Sequence, residues 1–107
     1  EYYKDYENRC EMYSGRGPTQ DTIKKPDIVA PGTEIVSCCI GRENYIAKSG
    51  TSMATAIVSG AAALIRQKYP YLTREQVIKR LLYSATDLKE PWIKQGWGML
   101  NIKRALE

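Results

Sequence analysis

The sequence has no histidine and no phenylalanine among its 107 residues. No imidazole is therefore present to act as a base within the chain, and the commonest nitrogen ligand for a transition metal is missing. Cysteine is scarce: Cys10, Cys38 and Cys39 are an odd number, cannot all pair internally, and lack metal-ligand spacing, so no metal and no cofactor is expected. Cys38 and Cys39 are neighbours in an apparent strand and should face opposite sides of it. Buried free thiols are the expectation, which favours a reducing compartment or simply few disulfides. Long hydrophobic runs are absent too; the longest, about residues 54–65, is too short to cross a membrane and is broken by Thr55, Ser59 and Gly60. Charge of one sign does not dominate, with a net +4 from 16 Lys and Arg against 12 Asp and Glu. The basic pairs Lys24-Lys25, Lys79-Arg80 and Lys103-Arg104 are scattered among acids, the pattern of solvated faces. Neither a nucleic-acid nor a membrane partner is expected.

What is present suits one small domain at most: an apolar fraction of 43%, and eight tyrosines whose rings can lie at a surface. Residues 1–13 are polar with no clean period, and are expected as a loop or frayed segment, with at most a short strand near residues 10–13. Ser14-Gly15-Arg16-Gly17-Pro18 is turn chemistry. Asp27-Ile28-Val29-Ala30 lies between Pro26 and Pro31, which limits it to a short strand. Residues 34–40 read as a mostly buried strand, Gly41-Arg42-Glu43-Asn44 as a turn, and residues 45–48 as the returning strand of a hairpin. A helix follows over about residues 52–68, apolar on every side and so expected to be buried. Gly60 in its middle implies close approach by another backbone. Thr73 and Gln76 form a capping box for a second helix to about Ser84. After a loop containing Pro91, residues 96–100 read as extended, and Asn101 caps a terminal helix over 102–106.

The hairpin delivers the chain to Ser49, Gly50, Thr51 and Ser52 at the mouth of the long helix. Thr51 or Ser52 can cap that helix. The sharper alternative is that Ser52 is a nucleophile at a positive helix end, where free N–H groups would stabilise an oxyanion.

The string Gly50-Thr51-Ser52-Met53-Ala54-Thr55 resembles the serine motif of the subtilisin-like serine proteases (subtilases, peptidase family S8), with Ser52 on the nucleophile. Residues 14–19, the Lys25-Pro26-Asp27-Ile28-Val29-Ala30-Pro31-Gly32 segment and Gly96-Trp97-Gly98-Met99-Leu100-Asn101 resemble further segments of that family in the same order. Ala56-Ile57 stands where the family more usually has Pro-His, a form similar to the clostridial spore-germination branch. Some members of that branch are pseudoproteases, but Ser52 is retained here.

The resemblance implies an α/β fold. Residues 14–107 would be the C-terminal part of a three-layer subtilisin-like domain with a mostly parallel sheet, seen as a short strand, a hairpin, a buried central helix and two further helices. It also implies a serine endopeptidase with a Ser-His-Asp triad acting on protein or peptide substrates. Family order along the chain is Asp, His, Ser. The expected partner is therefore an upstream part of the same precursor carrying His and Asp, together with an oxyanion Asn. Ser49, Gly50 and Thr51 would border substrate, and Met53 the leaving-group side. The chain by itself should be inactive. Secretion or cell association follows from the resemblance, against the compartment that the thiols favour. The alternatives are a non-catalytic subtilase-fold protein acting as scaffold or binding surface, and a small autonomous binding domain.

Overall fold

A computed structural model describes residues 2–4 and 9–107, with side chains described from Cys10 onward. Its centre is a short extended segment threaded among glycines. Val29 and Ala30 are completely buried. The Val29 N–H donates to the Gly98 carbonyl at 3.0 Å, and the Leu100 N–H donates back to Val29 at 2.8 Å, a parallel bridge between Val29 and Met99. Strand β3 (Ala30–Pro31) also pairs in parallel with β1 (Tyr2–Lys4), which pairs antiparallel with β2 (Arg9–Cys10). Gly96 makes the threading possible. Its φ is 60°, and a Cβ there would collide with the carbonyls of Pro26 and Asp27; only glycine takes both that conformation and that contact.

Helix α1 (Thr51–Lys68) packs its Ala54, Ala61 and Ile65 edge on this segment. Its neighbours are α2 (Arg74–Tyr83), through Val77 and Leu81, and the short α4 (Ile102–Ala105), through Ala105. Together with Ala30 and Leu100 they form one apolar cluster. Small alanines at the centre of the contact let helix and strand backbones approach closely, and Ile65 fills the remaining space. The α2 start carries the expected capping box: Gln76 N–H donates to Thr73 Oγ1, and Thr73 N–H donates to Gln76 Oε1 at 2.8 Å. Asn101 Oδ1 accepts from the Arg104 N–H at 3.0 Å and caps α4 as its sequence suggests. A cluster of donors gathers the carbonyls at the end of α4. Lys68 Nζ and Tyr69 Oη donate to Leu106, and Arg80 donates to Ala105 at 3.0 Å while stacking on the Tyr69 ring.

The α/β composition and the hairpin match the sequence expectation, and several finer points need correction. Three helices follow the central one rather than two, because Trp92–Gln95 forms α3 directly after Pro91. Proline fixes its own φ and lacks an N–H, so it starts a helix as readily as it ends one. Where a loop with at most a short strand near residues 10–13 is expected, the described residues of the segment form two short strands, β1 and β2, paired with each other and, through β1, with the distant β3. The central helix is buried on one side only: Ser52, Thr55, Ala56, Ser59, Gly60, Ala63 and Leu64 are exposed along the other. Nothing approaches Gly60 among the described residues. The strand of residues 34–40 is open rather than buried, with Val36 68% exposed and Ile40 fully so. Its thiols follow suit: Cys38 is exposed, and Cys39 and Cys10 are half-buried and free.

Candidate active site

Strands β4 (Ile35–Cys38) and β5 (Tyr45–Lys48) form an antiparallel hairpin in the register Ile35 to Lys48 through Cys38 to Tyr45. The Cys39 N–H closes it onto the Asn44 carbonyl at 2.8 Å, with Asn44 at positive φ in the turn. This register returns Ser49 and Gly50 to the turn that follows Pro31. There the Gly50 N–H donates to the Gly32 carbonyl at 2.8 Å, and Ser49 Oγ accepts from the Glu34 N–H at 2.8 Å. The chain is thus clamped immediately before the long helix.

Gly50, at φ 154°, is the N-cap of α1, and no side chain caps it. Neither Thr51 nor Ser52 serves as the cap, since the helix begins at Thr51 itself. The Gly50 carbonyl accepts from the Met53 N–H at 3.1 Å and the Ala54 N–H at 3.3 Å. The N–H groups of Thr51 and Ser52 have no acceptor among the described residues. Ser52 is the second residue of an 18-residue helix, and its exposed hydroxyl makes no hydrogen bond among the described residues. The first turn contains no acidic side chain, so the positive end of the helix dipole is left uncompensated at this hydroxyl. Two free N–H groups and a free hydroxyl at one helix end favour a developing negative charge over a neutral group.

Ser49, Gly50, Thr51 and Ser52 therefore form one mount, but not with equal freedom. The Ser49 hydroxyl is committed to the Glu34 backbone, whereas Thr51 is half-buried and its carbonyl accepts from Thr55 Oγ1 at 3.0 Å. Beside the mount lies a hollow of about 550 Å³, lined by Ile35, Ser37, Ile46, Lys48, Met53 and both hairpin thiols. Sequence reading missed the part played by Gly32 and Glu34, whose backbone groups hold the mount. The signal was present in Pro31-Gly32, a turn directly ahead of the hairpin. Thr33, between them, keeps its Oγ1 buried without a hydrogen-bond partner among the described residues. Among the described residues no cluster of three His, Cys, Asp or Glu side chains could hold a metal. No described helix is long and apolar enough to cross a membrane.

The subtilase family profile matches residues 3–99. The chain belongs to the subtilase family. Among its subtilase relatives, minor extracellular protease Vpr of Bacillus subtilis is 37% identical over 89% of the chain. Subtilisin E of the same organism is 44% identical over 76% of the chain. The solved structure of the Clostridium perfringens CspB protease superposes on 99% of the chain with a TM-score of 0.83 and 33% identity. This chain spans only 13%, 21% and 24% of the length of those three proteins, respectively. The fold is accordingly a mixed α/β part of the subtilase architecture, homologous to serine proteases.

Proposed function

We propose that this chain is the nucleophile-bearing part of a subtilisin-type serine endopeptidase. The observation that carries the reading is the isolated Ser52 hydroxyl beside unsatisfied N–H groups at the start of α1. Ser52 Oγ attacks a peptide carbonyl. A histidine takes the proton and returns it to the leaving amine, and an aspartate holds that histidine in the correct tautomer. The Ser52 N–H is one donor to the oxyanion, and an asparagine side chain supplies another; in subtilisin itself, losing such a side-chain donor costs about 2.7–4 kcal/mol. Ser49, Gly50 and Thr51 border the bound peptide, and Met53 faces the leaving-group side.

The chain contains no histidine, so the base comes from other polypeptide, most simply an upstream part of the same precursor, which by the family's chain order would carry the aspartate and the asparagine as well. The exposed face of α1 and the open hairpin are where that polypeptide packs. Support comes from the uncovered apolar residues Leu64, Val36 and Ile40, which a self-sufficient domain would hide. The test is hydrolysis of a denatured protein by the full polypeptide. Ser52→Ala should lower kcat by about ten-thousand-fold or more. Undiminished hydrolysis by Ser52→Ala would exclude Ser52 as nucleophile. The scaffold reading is favoured by one fact only, the missing histidine, and predicts no hydrolysis at all by the intact precursor.

A further inference from the structure

The basic pairs are scattered along the sequence, and the fold gathers members of two of them. Lys79 and Arg80 of α2 and Arg104 of α4 line an open hollow of about 610 Å³, together with Leu72, Tyr83 and Ala105. Of its lining side chains, Glu107 alone is acidic. None of the three cations is ion-paired among the described residues, where the pairs join Lys25 to Asp27, Arg74 to Glu75, Lys89 to Asp87 and Lys94 to Glu90. Arg80 is fixed in place. Its Nη1 donates to the carbonyls of Ala105 and Glu107 at 3.0 and 3.3 Å, and its guanidinium lies 4.1 Å from the centre of the Tyr69 ring. Its other N–H groups, the Lys79 ammonium and the Arg104 guanidinium have no acceptor among the described residues.

The hollow is separate from the candidate active site and from both faces on which the upstream polypeptide packs. No residue of α1, β4 or β5 lines it. Through Arg80 it adjoins Tyr69, at the C-terminal end of α1. Ser52 lies at the other end of that 18-residue helix, and a rise of about 1.5 Å per residue puts roughly 25 Å between the two. An occupant of the hollow therefore does not reach the peptide bond under attack.

We propose that this hollow docks an acidic segment of a partner polypeptide, in which glutamates or aspartates alternate with apolar side chains. Ionised carboxylates only accept hydrogen bonds, which suits a surface of unmatched donors, and their bonds to arginine are of the strong, charge-assisted kind. Arg80 is held before any ligand arrives, which lowers the ordering cost of binding. The apolar side chains of the segment lie on Leu72, Ala105 and the Tyr83 ring, contacts that a bare phosphate would not make. A nucleic acid would need a long basic face rather than three cations around one hollow. The docking does not depend on hydrolysis at Ser52.

The test uses the full polypeptide carrying Ser52→Ala, so that the probe is not consumed. The probe is a short fluorescein-labelled peptide of alternating glutamate and leucine, read by fluorescence anisotropy. Saturable binding that weakens as salt rises is expected, and none for the same peptide with glutamine in place of glutamate. Lys79→Gln with Arg104→Gln should weaken binding about tenfold, and Lys79→Glu with Arg104→Glu should abolish it. Both side chains are exposed, so the urea midpoint should stay that of the parent. Lys24→Gln with Arg74→Gln, outside the hollow, removes the same charge and should change affinity by less than about twofold. No binding of the acidic peptide, equal binding of both peptides, or undiminished binding by the variants at Lys79 and Arg104 would overturn the proposal. So would displacement of the probe by inorganic phosphate or a single-stranded oligonucleotide more readily than by the unlabelled acidic peptide.

Discussion

At the residue scale, Gln95 shows how much one buried amide can organise. Its Nε2 donates to Asp87 Oδ1 at 2.8 Å and to the Glu90 carbonyl at 2.7 Å, and its Oε1 accepts from the Leu88 N–H at 2.9 Å. The whole loop between α2 and α3 is thereby tied to one side chain. Gln95→Leu keeps the volume but strands those partners, and should destabilise the folded chain by about 1–3 kcal/mol in urea unfolding. Hydrogen bonds from the Gln95 amide and then the Lys89 N–H hold the Asp87 carboxyl below its ordinary pKa. A lowered folded pKa contributes stability that is present above the unfolded value, about 3.9, and is lost as pH falls through the folded one. Asp87→Asn should therefore flatten the acid limb of a stability–pH profile. It should lower stability at neutral pH, where the ionised carboxyl contributes, while leaving it little changed at acid pH, where the carboxyl is protonated. Nothing in the sequence marked Gln95. A glutamine in a four-residue helix has no periodic signature, and its importance lies in three contacts that only the folded loop creates.

At the scale of elements, the readable features are local and the unreadable ones are not. The capping box at Thr73 and the Asn101 cap were legible because both partners lie within three residues. Thr73→Ala should cost about 0.5–2 kcal/mol by the same unfolding measurement, since it frees the Gln76 N–H. Helix α1 was legible from its apolar run and its start at the small residues before Ser52. Strand β1 was not, because its partners, Ala30 and Pro31, lie far along the chain. The nature of the α1 cap also escaped. A Ser or Thr at a helix mouth ordinarily caps, whereas here Gly50 takes that place and leaves Ser52 free. Holding the mount still requires the clamp between the hairpin and the turn. Ser49→Ala removes the acceptor for the Glu34 N–H. In the active precursor it should lower kcat severalfold with global stability changed by less than about 1 kcal/mol, the group being exposed.

At the scale of the whole molecule, the described chain has more surface than its size requires. A compact monomer of 12.1 kDa exposes about 6,000 Å², whereas this chain exposes 7406 Å². Its radius of gyration, 14.5 Å, likewise exceeds the value of about 13 Å for a compact chain of this length. Exposed α1 residues and the hairpin contribute to this surface. The apolar run of α1 and of residues 34–40 reads as buried, whereas the structure leaves one face of the helix and most of the strand exposed. Apolar content along a run does not encode which neighbours cover it, so burial on every side is not legible from the run alone. Isolated from any other polypeptide, the 107-residue chain should hydrolyse no peptide and should self-associate, as a concentration-dependent mass in light scattering would show.

The central claim is that Ser52 is the nucleophile, and a fluorophosphonate tests it most directly. The full polypeptide should take up one phosphonyl group, mapped by peptide mass to Ser52 and absent in Ser52→Ala. The isolated 107-residue chain, without a histidine, should take up none. A hydrolytically active precursor labelled at another residue, or labelled equally in Ser52→Ala, would contradict the account.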